Sequence, residues 1–164
     1  MTSPIAAAND EPLPAQGQPV ISVQEVSEVE FPVIGETGGE LAVYQPPDDD
    51  AFAIRRVFCV KAAEGAARGR HAHRRCTQLL VALSGRVRVV VSDGSETRDF
   101  LLGEMGKGLL IPPTIWAEQI YQSPDAVLMV LCDRPYEADD YIRDYVAFLA
   151  YRRDGAAEAI EAVA

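Results

Sequence analysis

Basic side chains and histidines are scarce in this sequence of 164 residues. It has 15 Lys and Arg against 25 Asp and Glu, which gives a formal net charge of −10, and it has only two histidines. Because such a surface repels polyphosphate, the composition argues against a general nucleic-acid-binding protein. A small anionic ligand held by a few local arginines remains compatible with it. No apolar run reaches the roughly 20 residues of a membrane span, so we expect no membrane segment.

Cysteine is also rare. The three cysteines, Cys59, Cys76 and Cys132, lie in or beside apolar runs, and their spacing fits no zinc motif. An odd number of cysteines favours reduced thiols, as in a cytoplasm. Residues 1–20 lack the basic start and the apolar stretch of a secretory signal, so we expect a cytoplasmic protein.

Short strand-like segments separated by turn residues occupy most of the chain. Residues 1–18, rich in Ala, Pro, Asn, Asp and Gln, predict a disordered N-terminal tail. Residues 19–153 predict a single domain, and residues 154–164 a C-terminal tail or helix end. Regularly spaced strands of this kind predict an all-β antiparallel sandwich or barrel. The predicted strands cover residues 29–34, 39–45, 55–61, 77–83, 86–92, 97–102, 108–111 and 127–132.

Only the C-terminal end of the domain has a helical pattern. Asp139 and Asp140 can cap a helix over residues 141–153, because a carboxylate accepts hydrogen bonds from the free amides of a first turn. Arg152 and Arg153 then fall in the last turn, where the helix dipole favours cations. The sequence therefore predicts one short helix after the strands.

The two histidines, His71 and His73, are separated by a single residue. Alternate side chains of a strand point to the same face, so this pair aims two imidazoles at one place. Imidazole suits both metal ligation and proton transfer near neutral pH. The pair by itself leaves these two functions open.

The spacing around the histidines resembles the two sequence signatures of the cupin superfamily. The resemblance implies a jelly-roll β-barrel of antiparallel strands with its site inside the barrel mouth. Metal-binding cupins have a glutamate where this chain has Gln78 and a last histidine where it has Ala117. Since two imidazoles alone hold zinc, iron or manganese poorly, we expect no metal and no other cofactor. The matching positions are Gly65, His71, His73, Gln78 and Gly85, followed by Gly106, Pro112, Thr114 and Ala117.

Residues 55–151 resemble one metal-free cupin family more closely, the sugar nucleotide 3,4-ketoisomerases that act on dTDP-4-keto-6-deoxyglucose. The blocks that carry this resemblance are Arg68-Gly69-Arg70-His71-Ala72-His73-Arg74, Gly108-Leu109-Leu110-Ile111-Pro112-Pro113 and Asp139-Asp140-Tyr141-Ile142-Arg143-Asp144-Tyr145. The resemblance implies an isomerase that moves the keto group between C4 and C3 of the hexose through an enediol. It also implies a homodimer, with N-terminal strands that can be exchanged between subunits.

Roles for individual residues follow from this resemblance. His71 is expected to be the main base and His73 the proton donor or relay. Arg68 corresponds to a substrate-contacting arginine, and Gln78 is a further expected substrate-binding residue. Arg56 and Arg75 are candidates for the diphosphate, with solvated strand charges as the alternative. Trp116 is expected to stack on the nucleobase or sugar, with core packing as the alternative.

The chain departs from the family at several positions. Phe58 replaces a family tyrosine, Gly38 stands where an N-terminal arginine is usual, and Ala117 replaces a histidine. Two interpretations follow: an isomerase of altered substrate or product stereochemistry, or a sugar-nucleotide-binding or regulatory cupin without catalysis. The two retained imidazoles favour the isomerase, because binding alone does not need them.

Overall fold

The computed structural model describes residues 21–45 and 52–163, and the side chains up to residue 155. The tail expected over residues 1–18 lies outside the described residues. Within them the chain forms twelve strands and one helix. The strands are β1 (Ser27–Glu30), β2 (Val33–Glu36), β3 (Gly39–Ala42), β4 (Arg56–Lys61), β5 (Ala67–His73), β6 (Gln78–Ser84), β7 (Val87–Ser92), β8 (Thr97–Leu102), β9 (Lys107–Ile111), β10 (Trp116–Tyr121), β11 (Val127–Cys132) and β12 (Tyr141–Ile142), and the helix is α1 (Tyr145–Val163).

Ten of these strands form two five-stranded antiparallel sheets. The first sheet has the order β1-β9-β6-β11-β4, and the second has the order β12-β5-β10-β7-β8. The hairpin of β2 and β3 pairs only with itself among the described strands. Most neighbours in the two sheets are distant in sequence, as in a jelly roll. The predicted all-β antiparallel fold with a C-terminal helix is confirmed, in the form of a two-sheet sandwich.

The main hydrophobic core lies between the two sheets. Leu80 and Leu128 of the first sheet belong to the same buried cluster as Val87, Val89 and Tyr121 of the second. Alternate residues of β7 point into it, which is the period expected of a strand with one buried face. Full burial of each of these leucine and valine side chains contributes about 1.5–3 kcal/mol.

The C-terminal helix covers the outer face of the second sheet. Phe148 of α1 is fully buried against Ala72 of β5 and Ile142 of β12. The helix begins at Tyr145, not at residue 141 as predicted, because Asp144 is the residue whose carboxylate accepts the Ala147 amide at 2.8 Å. The prediction that Asp139 and Asp140 cap this helix is therefore wrong. They lie in a separate 3-10 turn over Ala138–Asp140.

Three strands of the second sheet, β5, β10 and β12, were not among the predicted segments. The pattern of β5 is broken by a bulge, and β12 is only two residues long. The predicted strand over 29–34 is divided between β1 of the first sheet and β2 of the separate hairpin, because Pro32 has no amide to continue a ladder. The two histidines do lie on a strand, as the H-x-H argument requires.

Candidate active site

A β-bulge in β5 decides which side chains face the interior of the sandwich. Ala117 of β10 pairs with His71, but the next residue, Glu118, pairs with Gly69, so Arg70 is the extra residue. Without this bulge, Arg68 and His71 would point to opposite faces, since they are three residues apart. With it, Arg68, His71 and His73 all lie on the inner face.

Glycine is required at the bulge. Gly69 has φ +80°, a left-handed conformation that L side chains adopt at a cost. A Cβ atom there would also lie 2.9 Å from the Ala117 carbonyl oxygen and would overlap the Gln119 side-chain amide. Arg70, with φ 55°, points to the outer face, where its Nε lies 3.0 Å from a Glu118 carboxylate oxygen.

The two imidazoles and a buried carboxylate form one hydrogen-bonded chain. The Nε2 atoms of His71 and His73 are 3.2 Å apart, and Nδ1 of His73 lies 2.7 Å from Oδ2 of Asp140. His73 and Asp140 are buried, whereas His71 is only partly buried. His71 is therefore the imidazole that a ligand can reach, and His73 and Asp140 stand behind it.

Asp140 reaches His73 because the segment before α1 is bound along the end of β5. Tyr141 and Ile142 of β12 pair with His73 and Ala72. The other carboxylate oxygen of Asp140 accepts the Arg75 amide at 2.8 Å. Asp140, for which the sequence predicts a helix-capping role, instead holds His73.

The environment favours a neutral His71 and an ionised Asp140. Burial, together with the charges of His73, Arg143 and Arg56, lowers the pKa of His71 to about 4, although the Gly69 backbone opposes the shift. Burial raises the pKa of Asp140, but His73 and the Arg75 amide more than offset this and bring the pKa below its usual value. Since an ionised carboxylate only accepts hydrogen bonds, His73 donates Nδ1–H to Asp140.

Arg56, Gln78 and Cys132 line the same end of the interior. Arg56 of β4 donates through Nη2 to the Tyr141 hydroxyl at 3.2 Å and to the Cys132 sulfur at 3.4 Å. Gln78 donates to the same sulfur at 3.7 Å. The Tyr141 ring lies between this group and the histidines, with its centroid 4.3 Å from that of His73. Arg56 and Gln78, two of the predicted residues, therefore stand in the candidate site.

Arg68 and Arg75 differ in whether described carboxylates form ion pairs with them. Arg68 is exposed on the inner face of β5 and forms no hydrogen bond or ion pair within the described part of the chain. Arg75 donates to Glu137 at 2.8 Å and lies 3.6 Å from carboxylate oxygens of Asp139 and Asp140. Because those acids neutralise it, Arg75 supports Asp140 and does not present a free cation for a diphosphate.

Trp116 lies on the face of the second sheet away from the histidines. Its ring contacts Tyr145 and Phe148 of α1, with centroids 5.0 and 5.5 Å away, and it packs in the cluster of Ala72. The neighbouring Ala117 is the one that faces the interior. The expected stacking of Trp116 on a nucleobase or sugar is not supported by this position, and the alternative of core packing is.

The residues at the cupin metal positions do not form a ligand set. The Gln78 side-chain amide donates a hydrogen bond to the Cys132 sulfur, and the Ala117 side chain has no atom that can bind a metal. Elsewhere in residues 21–45 and 52–155, His73, Cys76 and Asp140 have ligand atoms within 4.8 Å of one another. In that group, Nδ1 of His73 and the Asp140 carboxylate already form a hydrogen bond with each other.

Sequence reasoning did not identify several residues of this site, namely Asp140, Tyr141, Arg143 and Cys132. Arg143 is exposed, and its guanidinium lies 4.2 Å from the centroid of the Tyr141 ring. The signal available in the sequence is the block from Asp139 to Tyr145, which resembles the family but also has the pattern of a helix start. Nothing in the local sequence indicates that Cys132 meets Arg56, since the two are brought together by the pairing of β11 with β4.

Comparison with known proteins agrees with this fold. The family described as FdtA: WxcM-like, C-terminal, matches residues 24–153. The chain belongs to this family. A TDP-4-oxo-6-deoxy-alpha-D-glucose-3,4-oxoisomerase from Aneurinibacillus thermoaerophilus is 35% identical over 124 residues, which are 75% of this chain and 89% of that protein.

Two solved structures of sugar ketoisomerases have the same fold. QdtA from Thermoanaerobacterium thermosaccharolyticum, a sugar 3,4-ketoisomerase solved in complex with TDP, superposes with a TM-score of 0.76 at 28% identity, over 80% of this chain and 97% of that one. WlaRA from Campylobacter jejuni, a TDP-fucose-3,4-ketoisomerase, has a TM-score of 0.71 at 28% identity, over 78% and 96% of the two chains.

Proposed function

We propose that this protein is a sugar nucleotide 3,4-ketoisomerase that acts on a TDP-4-keto-6-deoxyhexose in deoxysugar biosynthesis. The observation that carries the proposal is the hydrogen-bonded chain from His71 through His73 to Asp140, on the inner face of β5, in a member of a family whose named relatives are 3,4-ketoisomerases. A binding protein without catalysis has no need of an imidazole pair backed by a buried carboxylate.

In the proposed reaction, His71 removes the proton from C3 of the hexose. The C3–H electrons form the carbon–carbon double bond of an enediolate, and the C4 carbonyl oxygen takes the negative charge. Protonation at C4 by the imidazole pair and transfer of the C3 hydroxyl proton to the C4 oxygen then leave the ketone at C3 and a hydroxyl at C4. A neutral imidazole is the form that this first step requires, and the low pKa of His71, about 4, provides it at neutral pH.

His73 is the group to which His71 can pass a proton. Its Nε2 lies 3.2 Å away, and Asp140 at 2.7 Å stabilises the imidazolium that would form. In serine proteases a buried aspartate holds the catalytic histidine in the same way. The pair thus gives two proton-transfer groups on one side of the sugar ring, as a shift between adjacent carbons needs.

The arginines of the inner face suit the anionic parts of the substrate. Arg68 is exposed and forms no hydrogen bond or ion pair with the side chains described in residues 21–45 and 52–155, so we assign it to the diphosphate. Arg56, with Tyr141, stands beside the imidazoles and is placed to stabilise the enediolate oxygens. Gln78 and Ala117 leave a metal ion without a full ligand set, so the proposed reaction uses no metal.

A homodimer is the assembly that the surface favours. On the outer face of the first sheet, Phe31, Leu79, Val81 and Leu131 form a second apolar cluster. Beside it, Val33, Ile34 and Leu41 of the β2–β3 hairpin and Val57 of β4 are 41–59% exposed. We propose that a second copy covers this surface, with the hairpin as the segment that can be exchanged. Sedimentation of Leu41→Glu against the unmodified protein tests this, and an unchanged mass would reject the hairpin as an interface.

We further propose a cytoplasmic location, in which Cys59, Cys76 and Cys132 stay as the free thiols observed. No helix within residues 21–45 and 52–163 is long and apolar enough to cross a membrane.

Product analysis tests the proposed activity. The protein is incubated with TDP-4-keto-6-deoxyglucose in deuterated buffer and the mixture is followed by NMR. We expect a 3-keto product that carries deuterium at C4. Retention of the 4-keto sugar without deuterium at C3 or C4, together with measurable binding of TDP, would instead favour a sugar-nucleotide-binding protein.

A further inference from the structure

The sulfur of Cys132 on β11 lies where the two neighbouring strands of the first sheet, β4 and β6, each place a donor beside it. Cys132 of β11 pairs with Arg56 of β4 on one side and with Gln78 of β6 on the other. Arg56 Nη2 donates to the sulfur at 3.4 Å and Gln78 Nε2 at 3.7 Å. The Cys132 side chain is fully buried. A buried sulfur that accepts two side-chain donors, one of them a cation, is in a place suited to a negative charge.

The charge of Arg56 has no other counterion in the described part of the chain. Arg56 is half-buried, yet none of the described Asp or Glu side chains forms an ion pair with it. Its remaining hydrogen-bond partner is the hydroxyl of Tyr141, and its Nε is buried without a partner among the described residues. A half-buried cation of this kind is ordinarily paired, and of the two side chains that accept its hydrogen bonds, the Cys132 thiol is the stronger acid by type.

The second cysteine of the site, Cys76, supports the same assignment. Its thiol has the Thr77 carbonyl oxygen at 3.4 Å and is near Cys132. A hydrogen bond from Cys76 lowers the pKa of Cys132 to about 6, with help from Arg56 and Gln78 and against the effect of burial. The same hydrogen bond and burial raise the pKa of Cys76, so one thiol of the two stays protonated. Asp133, which adds to the shift of Cys76, is the nearby carboxylate on the same strand end.

We propose that Cys132 is a positioning residue that acts as a thiolate and holds the Arg56 guanidinium against Tyr141 beside the two imidazoles. Arg56 is bound at Nη2 on both sides, to the sulfur and to the Tyr141 hydroxyl, so its Nη1 is left to meet a ligand. The sulfur itself touches no substrate and forms no bond. The consequence for catalysis rests on the proposed isomerase function, whereas the charge on Cys132 does not.

The first test measures the thiolate directly. Cys59 is exposed and outside the site, so Cys59→Ser gives a protein whose only thiols are Cys76 and Cys132. Its ultraviolet thiolate absorbance is titrated between about pH 5 and 8, below the range in which an ordinary thiol ionises. We expect one thiolate per chain, with a midpoint near 6. The signal should be lost in Cys59→Ser/Cys132→Ser and kept in Cys59→Ser/Cys76→Ser. A protein without thiolate below pH 8 overturns the proposal, whatever the enzyme activity.

The second test separates a positioning charge from simple packing. Cys132→Ser keeps the size of the side chain and removes the charge, whereas Cys132→Asp is larger and keeps the charge. We expect kcat to fall about tenfold in Cys132→Ser and less in Cys132→Asp, with little change in KM. The loss of kcat below about pH 6 in the unmodified enzyme should be absent in Cys132→Ser. If Ser is tolerated better than Asp and the pH profile is unchanged, Cys132 only fills space.

Discussion

The two faces of β5 carry different kinds of residue, although they alternate along seven residues of one strand. The inner face presents Arg68, His71 and His73. Arg68, at one end, has no ion-pair partner among the described residues, and the buried Asp140 carboxylate lies behind the other end. The outer face presents Ala72, and Arg70 in an ion pair with Glu118. Trp116 of β10 and Phe148 of α1 pack in the same cluster as Ala72. Chemistry is thus confined to one face and helix packing to the other, and the bulge at Gly69 and Arg70 keeps the three inner residues together.

The largest effect expected on the outer face is on stability. Phe148→Ala removes a fully buried ring from the cluster of Ala72 and Ile142, and we expect a loss of about 3–5 kcal/mol in the free energy of unfolding. Urea unfolding measures it. The kcat of the protein that remains folded should change by less than threefold. A large fall in kcat with unchanged stability would show that the two faces are not separate.

On the inner face, Asp140→Asn should reduce kcat at least a hundredfold, which is about 2.7 kcal/mol. The amide can no longer stabilise a His73 imidazolium, and it can reverse the tautomer of the ring. Asp139→Asn is the matched control, because Asp139 is adjacent and 84% exposed. Steady-state kinetics of the two variants measures the effect on kcat, and TDP binding measured in parallel shows whether the site is intact. Equal effects of the two substitutions would remove Asp140 from the relay.

Two arginines of β5 give the sharpest comparison of the faces. Arg68→Ala should raise KM about tenfold, because a charge-assisted hydrogen bond to the diphosphate is lost, and should leave kcat within a factor of about three. Arg70→Ala removes the same charge two residues away and breaks only an exposed pair with Glu118. Its effect on KM should be less than twofold. Titration with TDP by calorimetry provides an independent measure, and equal losses for both would contradict the assignment of faces.

The smallest expected effect is the pH dependence of stability due to His71. Its pKa is about 4 in the folded protein against 6.5 in the unfolded chain, so the unfolded chain takes up the proton first. Stability is therefore lost as the pH falls from 6.5 towards 4, by about 1 kcal/mol between pH 7 and 5 for a group that is only partly buried. His71→Asn should show a correspondingly smaller loss in urea unfolding at the two pH values. If the unmodified protein and His71→Asn lose the same free energy of unfolding between pH 7 and 5, the pKa of His71 is not lowered in the folded protein.

The sequence was informative where one strand or one motif carries the signal. The apolar runs of β6, β7 and β11 predicted strands, and the H-x-H pair with its neighbours Arg68 and Gln78 predicted part of the site. Their partners could not be predicted in this way. Asp140 is 67 residues from His73, and an acidic pair before an amphipathic segment has the same pattern as a helix cap.

The sequence also does not predict which face of the sheet a side chain occupies. Trp116 and Ala117 are adjacent, and only the pairing of β10 with β5 and β7 shows that the alanine, not the tryptophan, faces the histidines. Likewise, strict alternation would place Arg68 and His71 on opposite faces. The bulge corrects this, and its signal in the sequence is a single glycine at position 69.

The central claim is that His71 and His73, supported by Asp140, move the proton between C3 and C4 of the sugar. Deuterium incorporation from solvent into TDP-4-keto-6-deoxyglucose, followed by NMR with the unmodified protein, His71→Asn and His73→Asn, tests it most directly. We predict rapid incorporation with the unmodified protein, none with His71→Asn, and a reduction of at least a hundredfold with His73→Asn, while both variants still bind TDP. Incorporation at the unmodified rate in both variants would contradict the claim.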